Sequence, residues 1–150
     1  MRIFVDTNVL FDVFAQREPF FEASQKLFVM QAFGDAELWA APQSYLDIFY
    51  VLRKGRPADA LQSALAASLD RINLCSTDHA DMLAACTAGY NDVEDALIGI
   101  AAKKVSADYL LTRDEGQQGF KQLGIPALAP ETFFEMLDSE YNVTYDTLNL

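Results

Sequence analysis

Along the chain, short apolar runs alternate with longer stretches whose apolar residues recur at helical spacing. "RIFVD" (2–6), "ELWAA" (37–41), "INLCS" (72–76) and "DYLLT" (108–112) read as strands, and "IPALAP" (125–130) as a short fifth. Brief, nearly continuous runs of this kind suit strands buried on both faces. "FFEASQKLFVMQAF" (20–33), ended by Gly34, has the helical pattern. So does "QSYLDIFYVLRK" (43–54), closed by Gly55 and Pro57. "PADALQSALAASLD" (57–70) carries Pro57 in its first turn. Residues 78–87, "DVEDALIGIAAKKV" (92–105) and "PETFFEMLD" (130–138) complete the helices. Strands alternate with helices throughout, which predicts an α/β domain. Its sheet is expected to be mainly parallel, with four or five strands and helices on both faces. The domain is expected over 1–138. The tail, 139–150, has little pattern and reads either as disordered or as an arm docking on another subunit.

Composition narrows the class. The length of 150 residues suits one domain, and 51% hydrophobic content supports a substantial core. No apolar stretch reaches the ~18 residues of a membrane span, and the start lacks the pattern of a signal peptide. Cys75 and Cys86 have neither metal-finger nor redox spacing, so they read as reduced core thiols of a cytoplasmic protein. The formal charge of −11 argues against nonspecific binding of nucleic acid. It fits an acidic metal pocket, a basic partner or a merely soluble surface. An RNA substrate would require the few cations to be well placed.

The carboxylates are placed unevenly. In open parallel sheets, ligands bind beyond the carboxyl ends of the strands. Asp6 ends the first predicted strand and Asp114 follows the fourth. On the helix at 92–105, Val93, Leu97, Ile100, Ala101 and Lys104 share one side. Asp92, Asp95 and Gly99 lie opposite, next to small residues that would allow this acidic face to be enclosed as well. Asp92 reads either as an N-cap, with Asp95 completing a capping box, or as part of a site. Asp47 stands alone in the greasy "SYLDIFYVL", either in a site or near a helix start capped by Ser44. Converging carboxylates repel one another unless a cation compensates. An all-oxygen set selects Mg²⁺ or Mn²⁺ over Zn²⁺. His79 reads as a surface or capping residue. The sequence suggests no Ser-His-Asp arrangement and carries no Gly-rich phosphate loop.

"FVDTNVLFDVF", "SYLDIFYVLRK", "DVEDALIGIAAKKVSADYLLTRD" and "GIPALAPETFFEML" together resemble the PIN-domain family over roughly residues 2–137. The "D-x-x-D-A" helix followed by "A-D-Y-(aliphatic)₂-T-R-D" is the most specific part, and "V-D-T-N" the next. The resemblance implies a single PIN-like domain and a metal-dependent endoribonuclease that hydrolyses RNA phosphodiester bonds. It further points to VapC-type toxins of toxin–antitoxin pairs. It maps the acidic positions onto Asp6, Asp47, Asp95 and Asp114, with Asp92 as an additional metal-side neighbour. Asn8 and Thr112 match flanking polar positions that would steady the carboxylates. Family members commonly carry Glu where Asp47 stands, and Asp is one methylene shorter.

With this resemblance the expected cofactor is one or two Mg²⁺ or Mn²⁺ ions, held by Asp6, Asp95 and Asp114, with Asp47 completing the set directly or through water and Asp92 beside them. Arg113, next to Asp114, is the expected RNA contact, and Arg17, Arg53, Lys54, Arg56, Lys103 and Lys104 are further candidates. The expected partners are RNA, an antitoxin whose basic arm enters the acidic pocket, and a second copy in a homodimer. "PFFEASQKLFVMQAF" reads either as core or as a groove for a partner helix. The main alternative is a degenerate PIN domain that binds RNA or protein without cutting. A phosphotransfer protein fits poorly: no second Asp stands two residues after Asp6, and no Lys follows a late strand.

Overall fold

The computed structural model describes residues 1–114, 120 and 123–147. The five apolar runs become strands β1 (Arg2–Val5), β2 (Glu37–Ala40), β3 (Ile72–Leu74), β4 (Tyr109–Leu111) and β5 (Ala127–Leu128). They form one parallel sheet in the order β3-β2-β1-β4-β5. The chain therefore builds outward from β1 to β3, then returns to the other side of β1 with β4. Between β1 and β4 the strand order reverses, and a crevice opens at such a switch point beyond the strand ends. Val5 is in register with Leu111, so Asp6 and Thr112 leave the sheet at the same level.

The helices are α1 (Thr7–Ala15), α2 (Phe21–Ala32), α3 (Pro42–Leu52), α4 (Ala58–Ser68), α5 (His79–Thr87), α6 (Val93–Lys104) and α7 (Pro130–Tyr141). Alternation along β1 assigns the two faces of the sheet. Ile3 and Val5 pack with Val9 and Leu10 of α1, Leu27 and Met30 of α2, Ile48 of α3 and Phe133 of α7. Phe4 and Leu110 pack on the opposite face with Ile98, Ala101 and Ala102 of α6 and with Phe120. No helix among the described residues is long and apolar enough to cross a membrane.

Four local expectations change. First, α1 was not expected, because the carboxylate at Asp6 interrupts the apolar run. That carboxylate is the helix N-cap and accepts the Thr7 N–H. Second, α3 begins at Pro42, whose fixed φ suits a first helical position. Ser44 is thus an interior residue, buried and bonded to Thr7, and not a cap. Third, α6 does not bury the expected stripe. Val93 is exposed, while Ala96 and Leu97 pack with Ala85 of α5 and Ile98, Ala101 and Ala102 face the sheet. A helix covered by two partners buries a wider arc than a single stripe. Fourth, α7 continues past the expected helix end at 138, and Asn142 ends it in the left-handed conformation at φ 54. Tyr145 then returns to the domain, donating to Asp35 Oδ2 at 2.7 Å and packing edge-on to Phe134. The tail through residue 147 is thus described beside the domain, and 148–150 lie outside the described residues.

Candidate metal centre

Asp6 sits where β1 gives way to α1. Its Oδ1 accepts the Thr7 N–H at 2.7 Å and its Oδ2 accepts the Thr112 hydroxyl at 2.8 Å. Thr112 Oγ1 also accepts the Asp114 N–H at 3.1 Å, so one hydroxyl ties the end of β1 to the turn after β4. Asn8 locks the same turn. Its Oδ1 accepts the Arg113 N–H at 3.1 Å and its Nδ2 donates to Asp114 Oδ2 at 3.2 Å.

Asp95 arrives from the first turn of α6. Oxygens of Asp6, Asp95 and Asp114 all lie within 4.8 Å of one another. Asp6 is buried, Asp95 half-buried and Asp114 exposed, so the cluster opens at one side. The Asp95 Oδ2 is shut off from solvent and has no hydrogen-bond partner among the described residues. A buried carboxylate oxygen without a donor is costly. Burial, and then the charges of Asp92, Asp6, Asp114 and Glu94, push the Asp95 carboxyl up from 3.8 to about 6. Asp6 is raised as well, mainly by burial, against the lowering effect of its bonds to Thr112 and Thr7. Two helix N-termini, those of α1 and α6, meet the cluster and favour negative charge there without neutralising it. Three carboxylates and an orphaned oxygen fit a hard divalent cation, which supplies the missing positive charge.

The other expected residues take different places. Asp92 is the N-cap of α6, with Oδ1 accepting from the Glu94 and Asp95 N–H groups. It stands at the cleft wall, outside the three-oxygen group. Asp47 also lines the cleft and lies outside that group, accepting from Gln43 Nε2 at 2.9 Å. Arg113 does not face the cleft. Its guanidinium reaches Asp12 at 2.6 Å and Glu131, and stacks 4.2 Å from the Phe20 ring centre.

Two contributors, Glu94 and Asp12, are not singled out by the sequence, and Arg17 stands there only among the further RNA candidates. Glu94 lines the cleft and accepts from Thr7 Oγ1 at 3.5 Å. Burial, then Asp47, Asp6 and Asp92, raise its carboxyl. Its signal was its place in the first turn of the "DVED" helix. Asp12 is fully buried between Arg17 and Arg113. Its signal was a lone carboxylate six residues after Asp6, about two helical turns away. Arg17 is the cation that does line the cleft, resting on Phe11 and Phe20.

A PIN-domain family model matches residues 2–116. No curated protein matches the chain significantly in sequence. Among solved structures, VapBC2 from Rickettsia felis bound to a DNA fragment from its promoter aligns with TM-score 0.60 at 15% identity, covering 85% of this chain and 97% of that one. A structure of FitAB bound to an IR36 DNA fragment aligns with TM-score 0.58 at 19% identity, covering 85% and 94%. FitAcB from Neisseria gonorrhoeae aligns with TM-score 0.55 at 18% identity, covering 86% and 98%. The parallel sheet, the acidic crevice at its switch point and the match over residues 2–116 lead to one conclusion: the chain belongs to the PIN-domain family.

Proposed function

We propose that this protein is a metal-dependent endoribonuclease and the toxin of a toxin–antitoxin pair. The observation that carries the reading is the unpaired, buried Oδ2 of Asp95 inside a cluster of three carboxylates. Asp6, Asp95 and Asp114 would hold Mg²⁺ or Mn²⁺. Bound there, the ion supplies Lewis acidity toward a phosphodiester and its attacking water. Thr112 holds Asp6 in place, and Asn8 holds Asp114. Glu94 and Asp47 form the outer acidic wall. Glu94 lines the cleft beside Thr7 and would accept the proton of the attacking water; burial and the neighbouring carboxylates raise its carboxyl. Asp92 acts through the helix end that presents Asp95.

The antitoxin reading draws on the aligned VapBC2 and FitAB structures. It also draws on an apolar groove where Val13 of α1 meets Phe21, Phe28 and Val29 of α2. A homodimer belongs to the same reading.

An RNA-cleavage assay with and without chelator tests the enzyme. Cleavage is expected to stop in chelator and return with Mn²⁺ or Mg²⁺; products forming at full rate in chelator would refute the reading. One observation favours a non-cutting alternative: Asp47 stands outside the cluster, bonded to Gln43. Metal binding without cleavage would support that alternative.

A further inference from the structure

We propose that the corner leading from α3 into α4 takes the backbone of a single-stranded RNA whose scissile bond lies at the carboxylate cluster. Arg53 and Lys54 receive its phosphates, and Tyr50 holds them in position. The inference rests on the nuclease reading above and names how that site grips its substrate.

Charge singles out this corner. Arg2, Lys26, Lys104, Arg113 and Arg17 are each paired with a carboxylate. Arg53, Lys54 and Arg56 have no carboxylate partner among the described residues, although they fall within four consecutive positions. In a chain of net charge −11, such a group is a local reversal of sign. Anionic ligands are steered to spots of this kind.

The cations are also preorganised. The Arg53 guanidinium lies 4.4 Å from the centre of the exposed Tyr50 ring, and the Lys54 ammonium 5.8 Å from it. Arg56 Nη1 donates to the Phe14 carbonyl, which ties the corner to α1. Cations held against a ring have given up part of their rotamer freedom before a ligand arrives.

The corner is continuous with the cleft. Asp47, Ile48 and Val51 of α3 line the cleft, together with Phe11 of α1 and Arg17 just beyond its end. Asp47, Tyr50 and Lys54 follow at spacings of three and four, so they share one side of α3 and its C-terminal extension. Charge on that side changes from acid to base over about 10 Å. A strand whose reacting phosphate sits at the carboxylates therefore meets cations on leaving them. A small cationic spot beside an exposed aromatic suits a flexible single strand, whereas a duplex needs a longer basic face.

The test uses the full chain and a fluorescently labelled single-stranded RNA oligonucleotide, in chelator so that cleavage is off. In the double variant Arg53→Gln/Lys54→Gln, the dissociation constant is expected to rise at least tenfold. The slope of log affinity against log salt should fall by about 1.4, at ~0.7 for each phosphate no longer neutralised. Tyr50→Ala should weaken binding and Tyr50→Phe should restore it, because Phe still offers a ring face. Mn²⁺ binding by calorimetry should not change in any of these variants, which confirms an intact fold.

Equal RNA affinity in the wild type and the double variant would overturn the proposal. So would displacement of the RNA by an equimolar Glu-rich peptide, which would mark the corner as a protein site. The two readings fail separately. Wild-type cleavage with kcat/KM unchanged in the double variant removes the corner and leaves the nuclease. Absence of cleavage with every metal removes the nuclease, and the affinity comparison then decides the corner alone.

Discussion

Replacing Asp95 by Asn should make the metal-free protein more stable at neutral pH. Asp95 packs its carboxylate against Asp6 and Asp114, with one oxygen unpaired. Its carboxyl is raised from 3.8 to about 6 in the folded state. The folded protein therefore holds this proton more tightly than the unfolded chain does. Below about pH 4 both states are protonated and the group costs nothing. As pH rises from about 4 to about 6, the unfolded chain ionises first and stability is lost; above that window the loss is complete. The displacement corresponds to at most about 3 kcal/mol, at ~1.36 kcal/mol per tenfold change in proton affinity. Asp95 is half-open to water, and screening reduces this to about 1 kcal/mol. Asp6, raised in the same direction, adds to the slope in both proteins.

Urea unfolding in chelator at pH 4.5, 5.5, 6.5 and 7.5 reads this directly. The wild type should lose about 1 kcal/mol more than Asp95→Asn across that range. At pH 7.5 the variant should melt roughly 2–4 °C higher. Adding Mn²⁺ should reverse the order. The wild type gains about 2.7 kcal/mol at 100 times the dissociation constant, and the variant gains little. A variant less stable than the wild type in chelator at pH 7.5, or equally stabilised by Mn²⁺, would refute the account of a repulsive cluster awaiting a cation.

Asp12→Asn should destabilise the fold by about 3 kcal/mol, measured by urea unfolding, because it strips a fully buried carboxylate from between Arg17 and Arg113. Thr112→Val should keep the fold but weaken Mn²⁺ binding on the order of tenfold or more in calorimetry, since Asp6 loses its hydroxyl donor. Gly99→Ala should cost about 1 kcal/mol, because the new methyl carbon would stand 2.7 Å from Leu123 Cδ1. Combining it with Leu123→Ala should cost less than the sum of the two changes, and simple additivity would argue against a clash.

The sequence by itself determined the alternation of strands and helices, the parallel sheet and the placing of Asp6 and Asp114 at strand ends. These follow from local hydrophobic periodicity, which a residue shares only with its near neighbours. It could not reveal α1, because a carboxylate between two apolar runs looks the same whether it breaks a strand or caps a helix. Nor could it give the partners of Arg113, whose neighbour in the chain is Asp114 but whose guanidinium meets Asp12 and Glu131 in space. The motif resemblance names Asp6, Asp95 and Asp114 as a set, but hydrophobic periodicity does not, and the reason they meet lies in the tertiary structure. The return of the chain across β1 brings residues 6, 95 and 114 to one crevice, leaving Asp47 and Asp92 at its wall and adding Glu94. Charge repulsion and burial act through space, and distances through space between remote residues exist only once the sheet order is set.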